Sequence, residues 1–199
     1  RDPLPRAYPW YVLVELTDTR LDSGLAELLE AELGLAVADG AVCDGTVAAT
    51  ESQARALWRL RENISEAQKR EGVSIKHDVS VPISAIPAFV ERAGEKLAAA
   101  YPGVRVICFG HLGDGNLHYN QSRPLQSENA AFIACTPEVN EVVYGVVREL
   151  GGSISAEHGI GQLKRDVLAF YKEPVELEMM RRIKAAFDPC GTMNPGKVL

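Results

Sequence analysis

The sequence predicts an α+β protein, and three observations carry that prediction. Strand-like and helix-like segments alternate along the 199 residues, Asp114-Gly115 lies between apolar runs, and the composition is that of a chain able to bury a core. Hydrophobic residues make up 46% and charged residues 24%, which excludes disordered, collagen-like and low-complexity chains. Asp and Gly tolerate the positive φ of a tight hairpin turn, so at least one strand pair is antiparallel. The length suits one sizeable domain.

Residues 1–8, with Pro3 and Pro5, read as a linker. Residues 9–16 are aromatic and β-branched, the composition of a buried strand. Leu21, Leu25, Leu28, Leu29 and Leu33 form a helical stripe, and residues 36–43 read as a weak second strand. Thr50 with Gln53 three residues later makes a capping box, and Leu57, Leu60, Ile64 and Ala67 sustain one helix to Gly72. Residues 74–81 alternate like a strand that Pro82 ends. Residues 86–100 read as a helix closed by Pro102-Gly103, residues 104–111 as a strong strand, and residues 121–135 as a loop. Thr136 as cap and Pro137 in the first turn open a helix with Val139, Val142, Val143, Val146 and Leu150 on its apolar face. Residues 153–156 are a short strand, and a last helical region, broken at Pro174, runs toward Asp188-Pro189. The sequence contains no internal repeat and neither G-x-G-x-x-G nor G-x-x-x-x-G-K.

With 21 Lys+Arg against 27 Asp+Glu the net charge is −6. Without a concentrated basic face, nucleic acid and anionic membrane surfaces are excluded as main partners. No apolar stretch approaches the roughly 20 residues of a membrane span, and the first residues lack a signal peptide's apolar centre, so the expected compartment is cytoplasmic. The start, Pro-rich and without Met, reads as that of a piece of a longer protein. Cys43, Cys108, Cys135 and Cys190 form no C-x-x-C pair and read as free buried thiols.

The hairpin around Asp114-Gly115 carries the densest chemistry. With those two residues as the loop, Gly113 faces Asn116, Leu112 faces Leu117 and His111 faces His118, the last pair with Cβ atoms about 5 Å apart. Opposed imidazoles suit one shared metal ion. By the period of two, Asn120 shares the face of His118, while the two leucines point toward the core. A hairpin whose histidines hold no metal is the alternative. Glu157, in Ser155-Ala156-Glu157-His158-Gly159-Ile160-Gly161, would complete a set of two imidazoles and a carboxylate suited to zinc, manganese or iron. His158 would then stand where a general base is needed. An ordinary solvated turn competes with this reading. Arg61 and Ser65, at i and i+4 on one helix, with Lys76 on the next strand, would suit a carboxylate-bearing substrate. Surface ion pairs to Glu62, Glu66 and Glu71 are the alternative there.

The strings F-G-H-L-G-D-G-N-L-H-Y-N at 109–120, S-A-E-H-G-I-G at 155–161 and F-D-P-C-G-T-M-N-P-G-K-V-L at 187–199 resemble, in that order, the C-terminal domain of FAD-linked oxidases of the vanillyl-alcohol oxidase type. The resemblance covers nearly the whole chain. A-L-W-R-L-R-E-N-I-S-E-A and G-V-S-I-K-H-D-V-S-V-P look most like the D-2-hydroxyglutarate dehydrogenase branch, and less like D-lactate dehydrogenases and glycolate oxidase subunits.

The resemblance implies a ferredoxin-like, elaborated antiparallel or mixed sheet with helices packed on one face, over residues 9–199. It also implies a divalent metal, zinc or manganese, held by His111, His118 and Glu157. Asn120 and His158 would contact substrate, His158 taking the hydroxyl proton, and Arg61, Ser65 and Lys76 would grip a distal carboxylate. Ser65 stands where threonine is common, and His77 receives no role. FAD would be bound mainly by an N-terminal domain, in cis or in trans, and a 2-hydroxy acid would become the 2-keto acid with hydride passing to FAD and then to an unidentified electron acceptor. The chain by itself is expected to be inactive, and the face it presents to that domain leaves homo-oligomerisation open. Two alternatives stand beside this: a stand-alone metal-dependent binding module or subunit working with a separate flavin subunit, and a metal-assisted hydrolase, for which no H-E-x-x-H spacing is present.

Overall fold

The computed structural model describes residues 3–20 and 22–199. Leu21 of the first helical stripe and the first two residues of the expected linker lie outside the described residues. The chain divides into two compact units, Arg1–Arg70 and Glu71–Leu199.

In the first unit the helical patterns form and the strand patterns do not. Residues 9–16 pair with no strand among the described residues, and Trp10, Tyr11, Val12 and Val14 are exposed. Aromatic and β-branched residues favour a strand only when a neighbouring strand supplies the ladder and a surface to pack on. Helix α1 (Leu25–Ala38) takes the first three residues of the second expected strand, 36–43, and the remainder forms no strand, because the Leu- and Ala-rich stretch 33–38 favours helix over an unpaired strand. Helix α2 (Glu51–Glu62) begins with the expected capping box, Thr50 accepting from the Gln53 N–H while the Gln53 side chain accepts from the Thr50 N–H. The single helix expected to Gly72 is interrupted at Asn63, and α3 (Ile64–Glu71) follows. Asn suits such a break because its short amide competes with helical backbone bonds. Arg61 and Ser65 therefore stand on successive helices rather than one turn apart on one.

The second unit bears out the α+β expectation. Strands β1 (Ser74–Ile75), β2 (Asp78–Ser80), β3 (Arg105–His111) and β4 (Asn116–Ser122) form an antiparallel sheet. β4 is central, pairing with β3 along one edge and with β1 and then β2 along the other. The expected strand at 153–156 is reduced to a single bridge between Ser80 and Ser153. The expected loop at 121–135 is shortened from both ends. β4 stays paired to Ser122, and α5 (Asn129–Ala134) forms where Phe132 reaches the core.

Residue alternation sorts the sheet into two faces. On one, Val79, Leu117 and Tyr119 join a core with helices α4 (Ile86–Ala100) and α6 (Thr136–Glu149), and the Phe89 and Tyr119 rings meet edge to face at 4.9 Å. Phe89, Leu97, Val139 and Val143 are fully buried, each such burial worth about 1.5–3 kcal/mol. The opposite face carries Asp78, Phe109, His118 and Asn120. Thr136 lies inside α6, which has no side-chain cap bond. Helices α7 (Arg165–Tyr171) and α8 (Pro174–Phe187) are separated near the expected Pro174 break. All four thiols are free, but Cys43 and Cys190 are exposed and Cys108 and Cys135 half-buried, rather than buried as expected. Among the described residues no helix is long and apolar enough to cross a membrane.

Candidate metal centre

The β3–β4 connection differs from the expected two-residue turn. Leu112–Asp114 make a 3-10 turn and Gly115 follows with φ 73, so the loop has four residues. His111 pairs with Asn116, Gly110 with Leu117 and Phe109 with His118. The register is thus shifted by two, and an even shift leaves every side chain on its expected face. His111 and His118 share a face diagonally rather than directly opposite each other, and Phe109 packs against His118 at 4.9 Å between ring centroids. Leu117 is buried as expected, whereas Leu112 is exposed in the loop.

The loop is held by its glycine. Val81 N–H donates to the Gly115 carbonyl at 3.1 Å, and a Cβ on Gly115 would fall 2.1 Å from the Val81 carbonyl oxygen. The longer loop therefore docks on the chain leaving β2 through a contact and a positive φ that only glycine satisfies. Gly110 is equally tight, with a Cβ 2.0 Å from the Asn116 carbonyl oxygen.

Glu157 lies between the two imidazoles. Its Oε1 is 3.7 Å from His111 Nε2, its Oε2 is 3.7 Å from His118 Nε2, and Asn116 Nδ2 donates to Oε1. Ligand atoms sharing one tetrahedral ion at metal–ligand distances near 2.0–2.1 Å are separated by roughly 3.3 Å. Each imidazole nitrogen lies a few tenths of an ångström beyond that spacing from a Glu157 oxygen, and two nitrogen donors with a carboxylate are the donor chemistry that suits a divalent metal. His158 stacks on His118 with centroids 5.6 Å apart, and its side chain is 65% exposed against 17% for that of His118. Asn120 is buried, its Oδ1 accepting from the His77 N–H at 3.2 Å.

Asp78 and Asn116 belong to this site although motif reading does not select them. Asp78 pairs with His118 across the sheet, and its Oδ2 accepts from the N–H groups of Ala156, Glu157 and His158 at 3.0, 3.1 and 2.9 Å. Burial pushes its carboxyl upward, but those three N–H groups and the adjacent His158 hold it below its ordinary value. The available signal was the alternation of residues 74–81, which puts a carboxylate on the face of His118. Among the described residues, the group whose ligand atoms all lie within 4.8 Å of one another is Asp78, His118 and His158, so the expected set of His111, His118 and Glu157 is less closely gathered than this one.

The model of the family "FAD linked oxidases, C-terminal domain" matches residues 1–198. The chain belongs to that family. Among curated relatives of this FAD-linked oxidase C-terminal domain, the D-2-hydroxyglutarate dehydrogenase of Stutzerimonas stutzeri (strain A1501) is 39% identical over 199 residues, covering 98% of this chain and 42% of the relative. The mitochondrial D-2-hydroxyglutarate dehydrogenase of Rattus norvegicus is 37% identical over 191 residues, covering 96% of this chain and 34% of the relative. The chain thus spans about two fifths of the bacterial relative's length and about a third of the rat one's. Of the expected carboxylate grip, Arg61 is half-buried on α2, Ser65 is exposed on α3, and Lys76 is exposed between β1 and β2. Of the acids weighed as their competitors, Glu66 lies 3.6 Å from Lys69 and 3.8 Å from Arg70, and Glu71 pairs with Arg105 at 2.7 Å.

Proposed function

We propose that this chain is the substrate- and metal-binding part of a flavin-dependent D-2-hydroxy acid dehydrogenase that oxidises a 2-hydroxyglutarate-like acid to its 2-keto acid. The observation that carries the reading is the convergence of His111, His118 and Glu157 beside His158, in a family member whose relatives are named D-2-hydroxyglutarate dehydrogenases. We assign residues 1–8 to a linker, residues 9–199 to the family domain, and FAD mainly to the rest of the longer protein, in cis or in trans. The electron acceptor and self-association are left to experiment. The proposed compartment, cytoplasmic, rests on composition.

His111, His118 and Glu157 would hold zinc or manganese. The metal would supply Lewis-acid charge at the 2-hydroxyl and an adjacent carboxylate oxygen, and FAD the hydride-accepting ring. His158 takes the hydroxyl proton at Nε2, its Nδ1 facing Asp78 Oδ2 at 3.8 Å. Asn120 orients the substrate near His118, and Arg61, Ser65 and Lys76 bind its distal carboxylate through charged and hydroxyl donors.

The test is anaerobic addition of D-2-hydroxyglutarate to the full-length flavoprotein, with bleaching of the flavin expected. An unbleached flavin refutes the reading. In the same protein Arg61→Ala should cost about 1.5–3 kcal/mol in kcat/KM for the dicarboxylate and much less for D-lactate, which has no distal carboxylate. Equal losses would remove Arg61 from that role.

A further inference from the structure

The segment that carries Glu157 and His158 has little regular structure. Among the described residues its only ladder contact is the Ser80–Ser153 bridge, and Ala156, Glu157 and His158 are all exposed. Exposed turns of this kind are ordinarily free to move. Here one carboxylate ties three consecutive residues down. The Asp78 side chain is 2% exposed. Its Oδ2 accepts the N–H groups of Ala156, Glu157 and His158 together with the Ser155 hydroxyl at 3.2 Å, and its Oδ1 accepts the Glu157 N–H at 3.2 Å. From the neighbouring side Lys164 Nζ donates to the Ile154 carbonyl at 2.7 Å and to the Asp78 carbonyl at 3.5 Å.

A carboxylate oxygen has about two lone-pair sites, and four of the five contacts crowd Oδ2 while Oδ1 takes one. Oδ2, the oxygen 3.8 Å from His158 Nδ1, is therefore poorly placed to be a metal ligand despite its nearness to that ring. Its negative charge is matched instead to backbone N–H dipoles, an arrangement that fixes backbone direction.

We propose that Asp78 is a positioning residue: its buried carboxylate presets the 155–158 turn so that the Glu157 side chain reaches between His111 and His118 while the His158 ring lies over His118. It touches neither metal nor substrate. Asp78→Asn replaces one acceptor oxygen with a donor facing the Glu157 N–H, so the turn loses both charge and a bond. The metal half of the proposal rests on the function proposed above; the backbone half does not.

The experiment pairs backbone amide hydrogen exchange with Zn²⁺ titration on the 199-residue chain, comparing wild type, Asp78→Asn and Glu157→Gln. In wild type the amides of Ala156, Glu157 and His158 should exchange slowly although their residues are exposed. Asp78→Asn should lower that protection, most at Glu157, and weaken Zn²⁺ binding about 10–100-fold, the usual cost of losing a group that orients a ligand. Glu157→Gln should weaken Zn²⁺ binding while leaving the amides protected. If Asp78→Asn weakens Zn²⁺ binding with the amides still protected, Asp78 is a ligand and the proposal is overturned. Unchanged exchange and unchanged affinity overturn it as well. If wild type binds no Zn²⁺ yet loses amide protection on Asp78→Asn, the metal reading fails and the positioning role stands. Should Asp78→Asn not fold, wild type decides: amides at 156–158 exchanging as fast as those at the exposed residues 161–163 would overturn the proposal.

Discussion

In the second unit Val79, Phe89, Leu97, Val139 and Val143 are sealed from solvent, whereas in the first Trp10, Val12, Leu28, Leu35 and Val37 stay exposed. The sequence patterns behind the two sets are similarly regular. In the first unit the helices are local objects, closed by the Thr50–Gln53 box and by their own propensities, and among the described residues α1 and α2 bury no side chain. In the second, helix and sheet periodicities meet at one interface, so each pattern is completed by another. Periodicity tells which face of an element is apolar; only a partner element turns that face into a core.

The sharpest test of that contrast compares two truncations. Phe89→Ala should cost about 3–5 kcal/mol, since it empties a fully packed site against Tyr119. Leu35→Ala, at an exposed position of α1, should stay within about 0.5 kcal/mol. Urea unfolding of both variants gives the two numbers, and equal costs would erase the distinction.

A second test uses acid. Burial pushes the His77 imidazole, packed edge to face on Tyr144 at 5.2 Å, down to about 4. The folded state then binds this proton less readily than the unfolded chain, so the stability it confers is complete above about pH 6.5 and is lost as the pH falls toward 4. Between pH 7 and 5 wild type should lose about 2 kcal/mol more than His77→Phe. Identical pH profiles would show that His77 is solvated in the fold. Smaller still, Thr50→Ala should cost about 1 kcal/mol, read as a lower helical signal at 222 nm. An unchanged helical signal would mean that the Thr50–Gln53 box does not hold the first turn of α2.

These differences also explain what the sequence could reveal. The helices at 51–62, 86–100, 136–149 and 174–187 and the strands at 105–111 and 116–122 were legible because their periodicity agrees with their environment. The strand expected at 9–16 was not realised because nothing in its composition says whether a partner strand exists. Within the site, His111, His118 and Glu157 were legible as a set because an error of two residues in register does not change a side chain's face. The four-residue loop was not legible, since it depends on Gly115 docking against Val81, a contact between residues more than thirty positions apart. Asp78 was missed for a related reason: alternation could place it on the face of His118, but its partners are backbone N–H groups of a distant turn, which leave no mark on the sequence.

The central claim is that the sheet face opposite the core holds one divalent ion between His111, His118 and Glu157, and Co²⁺ titration followed by its visible absorption tests it most directly. The account predicts about one equivalent bound per chain, with a spectrum of nitrogen and oxygen ligation that disappears in His111→Ala/His118→Ala. The same stoichiometry and spectrum in that double variant would contradict it.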